Sequence, residues 1–216
     1  MRAIVAAGGS TDPTDADLLA DADLVVAADG GATWLASLDR APDRLVGDLD
    51  SVAASLVIEL EATGVVVERH PGEKDASDLE LALEAAVAAG ARAVTILGTL
   101  GGERVDHELA NVLLLADPAW EARGVALQIV RGATVITALR GPGLRVVSAI
   151  PGSGVTLLPV GGDALGVTTS GLRYPLSDEP LALGRARGLS NVVEAPGATV
   201  RLASGTLLII EGVNLS

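Results

Sequence analysis

Asp48 and Asp50 stand two residues apart in the stretch Gly47-Asp48-Leu49-Asp50-Ser51. In an extended or loop segment, residues at i and i+2 project to the same side, so these carboxylates face one region of space and repel each other. A hard divalent cation such as Mg²⁺ relieves that repulsion and keeps open positions for phosphate oxygens. The same stretch also reads as a solvated acidic turn after a strand. Gly47 lets the backbone bend there, or lets a ligand approach closely.

Two further stretches carry charge in a chemically useful order. In Gly72-Glu73-Lys74-Asp75-Ala76-Ser77-Asp78, Ser77 followed by Glu80 is a capping-box pattern, which sets Asp78 in a first helical turn. The helix dipole favours a carboxylate there without any ligand. The functional reading adds that Lys74, the sole lysine of the chain, and the free N–H groups of the helix start form an anion site beside that carboxylate. In the stretch from Gly98 to Asn111 a β-branched run ends, a glycine-rich loop follows, and a helix begins near Asp106. That is the context in which α/β folds bind ligands beyond the carboxyl ends of strands. His107 and Asn111 share a helix face, and Leu109, Val112 and Leu113 are expected to supply the buried face. Taken singly, Asp106 also reads as an N-cap, Arg104 as a solvated charge and His107 as a helix-surface residue. Lys74, His70 and His107 all fall between positions 70 and 107, which concentrates the rare residue types in one segment. No G-x-x-x-x-G-K-[ST] loop, G-x-S-x-G elbow or H-E-x-x-H site is present. Any phosphate handling by these residues must therefore rest on carboxylate-bound metal with help from Arg104, Lys74 and backbone amides.

These residues need elements to hold them. The first part of the chain alternates short β-branched runs (3–7, 24–28, 65–68, 93–97, 126–130) with Ala/Leu/Glu-rich stretches (14–19, 31–38, 52–62, 78–89, 106–115). This is the pattern of an α/β, Rossmann-like three-layer domain with a mainly parallel sheet. The second part has only short runs (145–149, 154–159, 199–202, 206–211) separated by Gly, Pro and Ser, the spacing of an all-β sandwich or barrel. Turn chemistry at Arg140-Gly-Pro-Gly-Leu144 suits a junction, and the expected domains are 1–137 and 138–216. Residues 1–137 hold 23 Asp and Glu against 9 Lys and Arg, whereas residues 138–216 hold 5 against 6.

Composition removes several classes. With no cysteine, a disulfide scaffold and any Cys-ligated metal are impossible. A net charge of −13 and only three aromatic residues (Trp34, Trp120, Tyr174) argue against nucleic acid as a partner. The mean hydropathy of +0.46 is high, yet no window of about 18 residues stays apolar, as a spanning helix requires. The N-terminal apolar stretch is too short for a signal-peptide core. A cytoplasmic protein without membrane contact is expected.

Taken together and in order, the stretches resemble the thiamine pyrophosphokinase family. The resemblance rests on Ala28-Asp29-Gly30-Gly31-Ala32, Gly47-Asp48-Leu49-Asp50-Ser51, Lys74-Asp75-Ala76-Ser77-Asp78 and Gly102-Glu103-Arg104-Val105-Asp106-His107. It continues through Leu158-Pro159-Val160-Gly161, the run from Gly166 to Leu176, and Gly188-Leu189-Ser190-Asn191, and so covers nearly the whole chain. It implies pyrophosphoryl transfer from ATP to the hydroxyl of thiamine, giving thiamine diphosphate and AMP, by a homodimer with thiamine held between subunits. It further implies an α/β catalytic domain and a C-terminal β-sandwich, with Asp48, Asp50 and Asp78 as Mg²⁺ ligands. Asp106 and Arg104 resemble the catalytic and phosphate-orienting groups. Asp29, Lys74, Asp75, Gly101 and Gly102 match positions at the phosphates of ATP, and Tyr174, Ser190 and Asn191 match the thiamine pocket. Tyr174 stands where the family often has Trp, and Ser77 where it often has Thr; both keep the group type. His107 is Gln in some members and receives no role.

Thiamine is a cation with two aromatic rings, and a tyrosine face holds such a group by stacking and cation–π attraction of about 0.5–2 kcal/mol. Three alternatives share some of these features. A pyrophosphokinase for a pterin alcohol would use the same metal and ATP motifs, but the elements around Tyr174 and Asn191 favour thiamine. A haloacid-dehalogenase-like phosphohydrolase matches Asp48-Leu49-Asp50-Ser51 only superficially. A non-catalytic nucleotide-binding module would have no need of Asp106.

Overall fold

The computed structural model describes residues 1–102 and 104–213; Glu103, inside the glycine-rich motif, and residues 214–216 lie outside them. The chain divides into two compact units, the first comprising Met1–Leu113 and Asp117–Gly132, the second Leu114–Ala116 and the residues from Ala133 onward. It is a mixed α/β chain in which the first unit carries a parallel sheet and the second antiparallel ones.

In the first unit the strands are β1 (Arg2–Ala6), β2 (Leu24–Ala28), β3 (Arg44–Gly47), β4 (Val66–Arg69), β5 (Ala93–Leu97) and β6 (Ala126–Arg131). They lie in the order β6-β5-β1-β2-β3-β4, every pair parallel. Parallel strands covered on both faces read as continuous apolar runs. Val5, Val25, Val26, Leu45 and Ile96 are indeed fully buried. Helices α1 (Gly31–Ser37), α2 (Ala54–Ala62) and α3 (Asp78–Ala88) connect them, and α3 packs on β1, β2 and β3 through Leu79, Ala82, Leu83 and Ala86. Chain order runs outward from β1 to β4 in one direction and from β5 to β6 in the other. The reversal falls between β1 and β5, and in open α/β sheets ligands bind in the crevice at such a point.

Two expectations change here. The stretch 14–19 lies in a 3₁₀ helix, Pro13–Asp21, rather than an α-helix. Its Asp15 is buried, with its carboxylate accepting the N–H groups of Asp12 and Gly132, so a local side-chain clamp sets the tighter turn. Helix α4 (Val105–Leu114) has no fully buried residue, and Val105, Leu109 and Leu113 are exposed at 65%, 61% and 54%. The helix turns its polar side, His107, Glu108 and Asn111, to a cavity, which forces the apolar positions outward. A further short helix, α5 (Pro118–Ala122), is capped by Asp117 with Pro118 in its first turn. That start signal is plain in the sequence but has no apolar periodicity behind it.

The second unit contains β7 (Thr134–Arg140), β8 (Gly143–Val146), β9 (Gly154–Pro159), β10 (Ala164–Ser170), β11 (Glu179–Leu181), β12 (Asn191–Val192), β13 (Thr199–Leu202) and β14 (Thr206–Val213). They form two antiparallel arrays, β12-β9-β14-β7 and β11-β10-β13-β8. Leu139, Leu157, Leu207 and Ile209 from the first array and Val167, Val200 and Leu202 from the second share one apolar cluster. Because it is built without aromatics, it relies on Val and Leu from alternating strand positions.

Candidate active site

Each turn beyond the carboxyl ends of β1, β2, β3 and β5 brings one group to a common cavity of about 680 Å³. After β1 come Gly8 and Gly9, and after β5 Gly98 and Thr99. The two loops are bonded, Gly9 N–H donating to the Gly98 carbonyl at 2.6 Å. A Cβ on Gly98, which has φ of +68°, would come within 2.3 Å of the Ala7 carbonyl oxygen, so only glycine permits this approach.

After β2, Asp29 takes a left-handed conformation (φ 43°) and its N–H donates to the Val46 carbonyl at 2.9 Å. After β3, Gly47 (φ 151°) turns the chain so that Asp48 enters the same space; a Cβ on Gly47 would lie 3.1 Å from Asp78 Oδ1. Asp78 opens α3 behind a complete capping box, Ser77 Oγ accepting from Glu80 N–H at 3.2 Å and Glu80 Oε2 accepting from Ser77 N–H at 2.8 Å. Asp29, Asp48 and Asp78 thereby offer oxygens within 4.8 Å of one another. Burial pushes the Asp29 carboxyl above the ordinary aspartate range, opposed by bonds from Ser51 and Gly30 and reinforced by the Asp78 and Asp50 charges.

The donor set fits a hard divalent cation: three carboxylates meet, Asp29 Oδ1 is buried without a hydrogen-bond partner, and the buried Asp78 Oδ1 is met by a cationic side chain. Asp50 lines the cavity but is exposed and outside this trio; its Oδ1 accepts the Ser51 hydroxyl at 2.9 Å and its N–H donates to Asp48 Oδ1 at 3.3 Å. Lys74 Nζ lies 2.9 Å from Asp78 Oδ1 and 3.5 Å from Asp48 Oδ2, and the Asp78 contact raises its pKa. Asp75 is exposed and does not line the cavity.

The far wall is the glycine-rich loop and α4. Gly102, Arg104, His107, Glu108 and Asn111 line it. Gly101 lies just behind, its N–H donating to Glu108 Oε2 at 3.0 Å and its carbonyl accepting the Ser10 hydroxyl at 2.6 Å. Asp106 does not line the cavity. It is held by Arg104 in a two-pronged pair, Nε to Oδ1 at 2.9 Å and Nη2 to Oδ2 at 2.6 Å, and that guanidinium drives its pKa well below the usual carboxylate range. Sequence reasoning missed Thr99, which is buried with an unpartnered hydroxyl on the cavity wall, and Glu108. The Gly8-Gly9 pair after an apolar run was the legible signal for the β1 loop.

In the second unit Tyr174 is 55% exposed. Asn191 is buried and clamps the tyrosine's backbone, its Oδ1 accepting Tyr174 N–H at 3.0 Å and its Nδ2 donating to the Tyr174 carbonyl at 2.7 Å. Ser190 is exposed in a left-handed conformation (φ 56°), its N–H donating to Thr156 Oγ1 at 3.2 Å.

A parallel α/β sheet with a switch-point crevice, a carboxylate trio and flanking Lys and Arg fit an enzyme that handles an anionic substrate on a divalent cation. The model of the thiamin pyrophosphokinase catalytic domain matches residues 16–127, and that of the thiamin pyrophosphokinase vitamin B1 binding domain matches residues 145–207. The thiamine pyrophosphokinase of Bacillus subtilis is 25% identical over 191 residues, covering 88% of each chain. A crystal structure of the thiamine pyrophosphokinase of Bacillus subtilis superposes with a TM-score of 0.86 at 26% identity, covering 100% of both chains. That of Geobacillus thermodenitrificans gives 0.82 at 29% identity, covering 100% of this chain and 99% of the other. This chain belongs to the thiamin pyrophosphokinase family.

Proposed function

We propose that this chain transfers the pyrophosphoryl group of ATP to the hydroxyl of thiamine, releasing AMP and thiamine diphosphate, and that it does so at the carboxylate cavity of the first unit. Membership of the family makes it a thiamine diphosphokinase. The observation that carries the site is the convergence of Asp29, Asp48 and Asp78 within 4.8 Å. These three, with Asp50 beside them, would hold Mg²⁺, which neutralises triphosphate charge when bound.

The chain's own groups do the rest. The thiamine oxygen attacks the β-phosphorus, the bond from that phosphorus to the oxygen bridging the α-phosphorus breaks, and AMP leaves with the bridging oxygen. Lys74 and the Gly102 amide are assigned to the phosphate oxygens with Asp29 beside them, while Gly101, whose N–H bonds Glu108, shapes the loop and Asp75 lies outside the cavity. Asp106 accepts the hydroxyl proton. Arg104 holds both its oxygens and keeps its carboxyl well below the usual carboxylate range. We assign Arg104 a double role: turning to the triphosphate, it frees Asp106 and lets its basicity rise toward the ordinary aspartate value.

Thiamine is assigned to the second unit, with the Tyr174 ring as the face for its cationic rings and Ser190 and Asn191 beside it. The finer architecture fits a Rossmann-like three-layer catalytic domain, 1–137, and a β-sandwich, 138–216. The exposed apolar stripe of α4 supports a homodimer. A cytoplasmic location accords with the family; among the described residues no helix is long and apolar enough to cross a membrane.

The test offers ATP and Mg²⁺ with thiamine or with a hydroxymethyl pterin in parallel. Turnover with thiamine alone is expected; turnover only with the pterin would move the assignment to the other acceptor, and none with either would leave a nucleotide-binding module.

A further inference from the structure

On the reading of Asp29, Asp48 and Asp78 as a divalent-cation site, we propose that Lys74 is the resident counter-ion of that site in the metal-free protein. Its ammonium holds the carboxylates together until the divalent cation arrives, and is then displaced toward the triphosphate.

Three observations carry this. The ammonium contacts two of the three carboxylates at once, 2.9 Å from Asp78 Oδ1 and 3.5 Å from Asp48 Oδ2, with the side chain only 14% exposed. Asp78 Oδ1, which takes the 2.9 Å lysine contact, is also one of the two buried oxygens of the trio. An incoming cation competes for that same oxygen. Finally, Lys74 sits outside regular secondary structure, in the segment before α3, whereas Asp78 is fixed inside α3 by the Ser77–Glu80 box. The cation can therefore leave without unwinding the helix that holds the ligand. A lysine suits the task better than an arginine would, because a compact ammonium on a flexible stem exchanges partners without giving up a two-pronged pair. Without Lys74 three carboxylates would meet with no positive charge among them, and with both cations on one oxygen the ammonium and the metal would repel.

The experiment measures Mn²⁺ binding to nucleotide-free protein by the electron paramagnetic resonance of free Mn²⁺. The proteins are the wild type, Lys74→Met, Lys74→Gln, Asp48→Asn and Asp78→Asn. Both lysine variants should bind Mn²⁺ at least about tenfold more tightly, the scale on which one charge within 4–6 Å moves an ionic equilibrium. Without metal they should also melt at lower temperature than the wild type, with Mn²⁺ abolishing the difference. Equal or weaker Mn²⁺ binding by both lysine variants, while the aspartate variants lose it, overturns the counter-ion role and leaves the metal site standing. Unchanged Mn²⁺ binding in Asp48→Asn and Asp78→Asn overturns the metal site itself, and the counter-ion role with it.

Discussion

Gly47 shows how much one backbone position decides. Its φ of 151° lies where side chains other than hydrogen are strained, and a Cβ would press on Asp78 Oδ1 at 3.1 Å and on Asp29 Cβ at a similar distance. Gly47→Ala should cost about 1 kcal/mol or more in stability from the conformation alone, and should weaken Mn²⁺ binding in the same protein. Thermal melts with a Mn²⁺ titration check both, and a variant with unaltered affinity would detach Gly47 from the site. Asp48→Asn keeps shape and removes one charge from the trio. It should lower kcat by about 100-fold or more, the scale for losing one group that stabilises developing charge, with an unchanged circular dichroism spectrum. An unchanged rate would remove Asp48 from the metal site. Asn191 acts differently, through the two hydrogen bonds that fix the Tyr174 backbone. Asn191→Ala leaves those backbone groups without their partner at a cost of about 1–3 kcal/mol and should raise KM for thiamine more than it lowers kcat; Asn191→Asp, which sets a carboxylate oxygen against the Tyr174 carbonyl, should not recover the loss.

At the scale of elements, α3 and α5 are joined at the surface by Arg123, whose guanidinium bonds both oxygens of Glu84 at 2.6 and 2.8 Å and lies 5.2 Å from the centre of the buried Trp120 ring. That pairing holds the Glu84 carboxyl below its ordinary value. Its stabilisation is therefore present above the ordinary glutamate value and lost as pH falls from there through the lowered one. Arg123→Ala should accordingly lower stability at neutral pH and change it little in acid, which flattens the acid side of a stability–pH profile, and a profile identical to the wild type would deny the pair any role. Trp120→Ala, which empties a buried volume, should cost about 3–5 kcal/mol. The elements were legible where local signals were strong. The buried runs of β1, β2 and β5 and the capping box of α3 read directly from residue types, because burial on both faces and reciprocal capping leave marks at fixed spacing. Helix α4 did not read correctly: Leu109 and Leu113 have core spacing, yet the helix presents its polar side to the cavity, and no pattern of residue types says which side of a helix meets a ligand. Asp29 was seen as a neighbour of phosphate, but its closeness to Asp48 and Asp78 depends on how β2 and β3 pair and is invisible along the chain.

For the whole molecule, the site lies within the acidic part of the chain. The acidic excess lies in the first 137 residues, where the cavity gathers Asp29, Asp48, Asp50 and Asp78, and a divalent cation would relieve the repulsion among them. Ligand that binds only the folded state stabilises it by mass action. At one hundred times its dissociation constant, Mg²⁺–ATP should raise stability by about 2.7 kcal/mol, and ATP with a chelator should do much less; equal stabilisation by both would separate nucleotide binding from the carboxylates. The central claim is that this chain moves two phosphoryl groups together onto thiamine. Phosphorus NMR of a reaction containing the protein, ATP, Mg²⁺ and thiamine tests it most directly. Equal amounts of AMP and thiamine diphosphate should appear as ATP is consumed, whereas ADP with thiamine monophosphate, or ADP with free phosphate, would contradict it.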